Sequence, residues 1–198
     1  MEYLSLFLAD RMIKCQVIEE DDKKYYAYSI QLLLEKIVGF LLISVFAVLC
    51  KSLIEIVIFL IAFSLIRIHS DGIHCKTSIG CFISSVIISL STIPVSSVLM
   101  KSPEICQGGV IISMIFIFCI GTIRNPNLDP SEQELNHLKK YSRIGVLIVG
   151  SIVLTLLLLF PLNHFVYYSA LGVIYNALSL MIAKIKGEEV VDDDKKDA

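Results

Sequence analysis

Long apolar runs alternate with short charged ones along this chain, and their lengths are those of helices that cross a bilayer. A spanning helix needs about 20 mostly apolar residues. The first candidate begins near Tyr25 and is free of charge from Ile37 to Cys50. The second, Ser52 to Ile66, is short and expected to be the weakest, with Glu55 near its start. The third runs from Thr77 to Met100, with Pro94 expected as a kink. The fourth covers Ile105 to Ile123. The fifth and sixth share the run from Ile144 to Ala183 and divide at Phe160-Pro-Leu-Asn-His164, where Pro161 breaks the helix. Ahead of all six, Leu4, Phe7, Leu8, Met12 and Cys15 fall near helical spacing among Glu2, Asp10, Arg11 and Lys14. That pattern predicts an amphipathic helix lying in the membrane interface. The expected fold is therefore all-α: a polytopic membrane protein of about six transmembrane helices plus this interfacial helix.

Composition agrees with that reading. The 198 residues are 56% hydrophobic and 18% charged, against roughly 45–50% and a quarter in soluble domains. The mean hydropathy is +0.76. A net charge of −2 and the lack of a sustained basic face argue against a nucleic-acid partner. No cleavable signal peptide is visible in the charged first 30 residues. We expect one integral membrane domain over 1–186, with a cytoplasmic amphipathic start (1–24), a loop at 67–80 and a polar loop at 124–143, then a disordered acidic tail (187–198). In the polar loop, Ser131 and Glu134 match a capping box for a short helix with Leu135 and Leu138 on its thin apolar face.

Charge also orients the chain. Fourteen Lys and Arg residues fall in the amino-terminal segment, the second and fourth loops and the tail, while the other loops hold only Lys51 and Lys101. By the positive-inside rule both termini and the 67–80 loop lie in the cytoplasm of a multi-pass cell-membrane protein.

The second loop concentrates the chemistry. Arg67-Ile-His-Ser-Asp-Gly-Ile-His-Cys-Lys-Thr-Ser-Ile-Gly-Cys81 puts an arginine, two histidines, an aspartate and two cysteines between apolar walls. Cysteine catalysis needs a thiolate and a base that holds and returns its proton. His74 and Cys81 are seven apart. On one continuous helix that is about 10 Å along the axis, too far for a nucleophile–base contact of about 3 Å. The pair works only if the chain folds back, and Asp71-Gly72 supplies a turn signal ahead of His74. Thr77 or Ser78 would cap the third span, placing Cys81 in its first turn, where the helix dipole favours a thiolate. Cys75 remains a rival nucleophile. A metal site from His69, His74, Cys75 and Cys81 has no common zinc spacing, and no metal or cofactor is expected. Cys15, Cys50, Cys106 and Cys119 are expected as small buried hydrophobes. His164 should lie at the opposite membrane face and His137 on an exposed helix. A transporter or export helper, and a non-enzymatic scaffold, are the competing classes. Against the transporter, the third to sixth spans carry no ionisable residue at midmembrane.

On these residues the chain resembles the accessory gene regulator B family, membrane peptidases that mature quorum-sensing peptides in Gram-positive bacteria. Arg67, Gly72, His74 and Cys81 stand where that family has its arginine, glycine, histidine and cysteine. The chain departs at Asp71, where a first glycine is usual, and at Cys75, where alanine is usual. The Asn125-Pro-Asn-Leu-Asp-Pro130 stretch and Lys139-Lys140 echo the family's later polar loop. The resemblance implies that Cys81 attacks a short propeptide with His74 as general base, removing an acidic tail. It implies too that the resulting thioester is closed by the peptide's own Cys or Ser into a thiolactone or lactone. Arg67 would then bind the propeptide's carboxylates or pair with Glu35, while Gly72 and Ser78 support the site. Lys139 and Lys140 would attract the acidic tail. The implied partners are the propeptide, with its amphipathic leader, the lipid bilayer and a second copy in a homodimer.

Overall fold

A computed structural model of the chain describes residues 2–70, Gly72, 78–123 and 132–187. Seven helices follow one another: α1 (Glu2–Lys14), α2 (Lys23–Leu49), α3 (Leu53–Ser70), α4 (Ser78–Leu99), α5 (Pro103–Ile120), α6 (Glu132–Leu159) and α7 (His164–Ile185). There is no β-sheet among the described residues. The protein is an all-helical, polytopic membrane protein. Helices α2, α3, α5, α6 and α7 are long and apolar enough to cross a bilayer, whereas the apolar stretch of α4, Ile83–Leu99, is shorter. Each of the six expected spans has its helix, with α4 standing in the third place.

The helices form because the apolar runs satisfy every backbone group internally, as hydrocarbon requires. Helix α7 lies at the centre: 61% of its apolar window is buried, against 12% for α2. Its small residues account for that position. A Cβ on Gly172 would lie 2.8 Å from the Ala62 Cβ and 2.9 Å from the Phe63 nitrogen, so hydrogen alone lets α3 and α7 meet backbone to backbone. One turn on, Asn176 Nδ2 donates to the Phe63 carbonyl at 2.6 Å. The main core joins Ile66, Val110, Ile117, Val146, Leu157, Tyr167 and Leu180 from α3, α5, α6 and α7. Helix α2 packs more loosely, through Ile43 and Ala47 against α3 and α4.

Helix α1 lies against α2 through buried Ser5 and Ala9, leaving Leu4, Phe7 and Leu8 exposed, as suits a helix resting in the interface. Lys23 and Asp10 pair at 2.6 Å to hold it. The break at Pro161 falls where the sequence put it, since α6 ends at Leu159 and α7 starts at His164.

Three expectations change. Arg67 is not a loop residue but part of the last turn of α3, which runs on to Ser70. The helix expected within the 124–143 loop is not a short separate one: Glu132 to Arg143 are the first turns of α6 and continue into the fifth span. Of the four cysteines expected to be buried, only Cys106 is; Cys15, Cys50 and Cys119 are exposed. The 187–198 tail lies outside the described residues apart from Gly187, and so does the expected Ser131 cap.

Candidate active site

The last turn of α3 faces α7, so Arg67 reaches inward across the bundle. Its Nη1 donates a hydrogen bond to Ser179 Oγ, and its guanidinium carbon lies 5.7 Å from the Phe63 ring centre. A cation beside an aromatic face, with a hydroxyl acceptor, keeps its charge at the membrane edge at reduced cost.

Gly72 closes this corner. It is buried and has φ of +141°, a conformation L side chains rarely adopt. A Cβ there would run into the Arg67 guanidinium and lie 2.8 Å from Ser179 Oγ. Backbone and space thus both require glycine. Gly72 is the glycine of the turn expected at Asp71-Gly72, and Arg67 and Ser179 hold its backbone; Asp71 and 73–77 lie outside the described residues.

Neighbouring helix ends are tied into the same corner. The last carbonyls of a helix have no partner within it. Here the Ser70 carbonyl accepts from Thr122 Oγ1 at 3.2 Å and from the Ile123 N–H at 3.3 Å. After α5 the chain turns at Gly121, whose φ is +76° and whose carbonyl accepts from Ser142 Oγ at 2.6 Å. Lys139 lays its methylene stem across Gly121 and is only 5% exposed. Arg143 Nε donates to the Phe118 carbonyl at 3.0 Å. Outside this frame the Tyr141 ring lies 5.5 Å from His69 and 6.3 Å from His137.

The other expected site residues fall as follows. Cys81 is the fourth residue of α4, in its first turn as expected. The Cys81 side chain, His74, Cys75 and Thr77 lie outside what is described. Ser78 is inside α4. Glu35 lies on α2 and accepts from Gln31 Nε2 at 2.9 Å. Glu35 and Arg67 are each 14 residues from the ends of the α2–α3 turn, Leu49 and Leu53, so both stand about 21 Å from it, at one level of the bundle. Lys139 is buried, a correction to the open basic loop expected for it, because its segment is a helix packed on α5; Lys140 is exposed. His137 is exposed, and His164 lies at the opposite end, 3.4 Å from Glu55. Sequence reasoning missed Ser179, Thr122, Ser142 and Gly121. Their signal was faint: lone small polar residues in or beside apolar helices, where an unpaired hydroxyl is costly.

What the frame can do is aim a loop. It holds the backbone at Gly72, two residues before His74 in the chain, and Cys81 follows in the first turn of α4. Residues 5–182 match the family described as accessory gene regulator B. The chain belongs to that family. No match was found among curated proteins or among solved structures. The match covers most of this accessory gene regulator B chain, from α1 into the last turn of α7, and it carries a role in quorum-sensing peptide processing.

Proposed function

We propose that the protein is a membrane-embedded cysteine endopeptidase that cleaves and cyclises a quorum-sensing propeptide. The observation that supports the reading is Gly72, held by Arg67 and Ser179 at positive φ two residues before His74, with Cys81 in the first turn of the next helix, α4.

In this reading His74 takes the Cys81 proton, and the thiolate attacks the carbonyl at the end of the signal sequence. The carbon–nitrogen bond breaks as the carbon–sulfur bond forms, and His74 returns its proton to the leaving amine. The acidic tail departs, leaving a thioester. A cysteine or serine within the propeptide then attacks that thioester. Cys81 is regenerated and the product leaves as a thiolactone or lactone. Holding the peptide's nucleophile beside the thioester makes ring closure outrun hydrolysis. Because Arg67 is engaged with Ser179, we assign it to holding the loop as well as to carboxylate binding. Glu35, at the same level, belongs to the site's surroundings, and Lys139 and Lys140 add to the field that draws in the acidic tail. The site and both termini are assigned to the cytoplasm, and the working form to a homodimer.

The test is co-expression with the propeptide in a Gram-positive host. Cys81→Ala is expected to abolish processing, by roughly 10³-fold or more. Cys75→Ala is expected to leave it. Processing that survives Cys81→Ala and stops with Cys75→Ala would move the nucleophile. Survival of both changes would end the peptidase reading.

A further inference from the structure

The outer face of α6 carries chemistry beyond the long-range attraction that the proposed reaction asks of Lys139 and Lys140. Between α5 and the first turns of α6 lies a groove of about 250 Å³. Asn136, Lys139, Lys140 and Arg143 line its polar half, and Ile144, Leu147 and Phe118 its apolar half. Asn136, Lys140, Arg143 and Leu147 recur at spacings of three and four, so they form one stripe along α6. The change from cation to hydrocarbon happens within one stripe, over about 10 Å from Lys140 to Leu147.

The level of that change is informative. Phe118, Ile144 and Leu147 are each more than 40% exposed, on helices that cross the membrane, so they face lipid chains. The cations one and two turns beyond them then stand at headgroup depth. Arg143 marks the boundary. Its Nε bond to the Phe118 carbonyl, and its guanidinium carbon 5.5 Å from the Phe118 ring, fix the planar group before any ligand arrives. A guanidinium fork matches a phosphate, and a pre-positioned one loses less freedom on binding. Lys140, exposed on the same stripe, adds a second, adaptable charge.

We infer that this groove binds the phosphate headgroup of an anionic phospholipid, with an acyl chain along Phe118, Ile144 and Leu147. A basic pocket between spanning helices is the physical form such sites take. An acidic peptide arriving from water would use only the polar half and would have to displace lipid from the other. A free phosphate ester would likewise leave the apolar half unused. The inference rests on the helices crossing a membrane and not on the peptidase chemistry. Long-range attraction of an acidic tail draws on the same cations, and the experiment separates the two.

The full-length protein, purified in a neutral detergent, is offered equal amounts of phosphatidylglycerol and phosphatidylcholine and weighed intact by native mass spectrometry. Retention of phosphatidylglycerol over phosphatidylcholine is expected. Lys140→Gln should weaken that retention about fivefold, and Lys140→Gln with Arg143→Gln about 30-fold. Because Lys140 is exposed, its single change carries the test even if the double variant folds poorly. Phe118→Ala should shorten retention of long-chain lipid without creating a preference for phosphatidylcholine. Equal retention of the two lipids would overturn the proposal. Displacement by glycerol phosphate at matching concentration would make this a small-anion site, and displacement by a synthetic acidic peptide at equimolar amounts a peptide site. Either result also overturns it.

Discussion

The two ends of the helix bundle treat their polar groups differently. At the end holding Arg67 and Gly72, the bonds run between helices. Arg67 of α3 reaches Ser179 of α7, Thr122 and Ile123 after α5 reach the last carbonyl of α3, and Ser142 and Arg143 of α6 reach the end of α5. At the other end, the bonds serve their own turns. Asn163 Oδ1 caps α7 by accepting from the Phe165 N–H, Tyr167 donates to the Pro161 carbonyl, and Ser52 to the Cys50 carbonyl. Interhelical hydrogen bonds in membranes contribute about 0.6 to 2 kcal/mol each. Several at one end therefore fix the relative placement of four helices there, while the far end needs only to stop and restart its chain. Relative placement matters where reacting groups on separate elements must meet within an ångström. The contrast supports the proposed placement of the site at this end without appeal to any one catalytic residue.

The contrast is tested most severely at Gly72. Gly72→Ala meets a backbone conformation costing about 1–3 kcal/mol for an L residue, and its Cβ overlaps the Arg67 guanidinium. The expected result is loss of propeptide processing by about 100-fold or more, with the protein still in the membrane. Wild-type processing by this variant would mean that the corner does not aim the loop. Gly121→Ala comes next. With φ of +76° and the Lys139 stem against it, the change is expected to cost about 1–3 kcal/mol. A thermal melt in detergent should fall by several degrees, and processing should fall less than for Gly72→Ala. A smaller effect is expected of Ser179→Ala, which leaves Arg67 without that acceptor. A hydrogen bond to a charged group contributes about 1.5–3 kcal/mol, less when water or another oxygen can replace it. Processing should drop about tenfold with little change in expression. A drop in melting temperature with processing intact would make the bond structural only.

Much of the bundle could be read from the chain because hydrocarbon leaves so few options. Apolar runs bounded by charge must be helices, and Pro161 had to end one of them. Boundaries were less legible where a charged residue stays helical. Arg67 extends α3 because Ser179 and the Phe63 ring receive it, and α6 starts at Glu132 because Leu135 and Lys139 are buried. Such partners are distant in sequence and leave no periodic trace. The candidate site was legible only in part. Arg67, Gly72 and Cys81 announce themselves by residue type and spacing, whereas Ser179 and Ser142 are ordinary small residues whose role comes from what crosses them in space. Gly121 could have been noticed as a helix stop after an apolar run, but not as the floor under Lys139.

The gentlest test lies at the far end, where Glu55 and His164 approach to 3.4 Å between the first turns of α3 and α7. This pair does link two helices, so it is the place where the contrast between the ends could fail. Its side chains remain 19% and 46% exposed, which favours solvent screening over a strong bond. Exposed ion pairs contribute at most about 1 kcal/mol, and long-range placement does not depend on one that weak. Glu55→Gln and His164→Asn, singly and together, should therefore shift the melting temperature by a degree or two, with a coupling below about 1 kcal/mol. Processing should stay within about twofold of the unaltered protein. A loss on the scale of Ser179→Ala would mean that the far end also sets the geometry, and that the working end is held by the whole bundle rather than by its own cross-links.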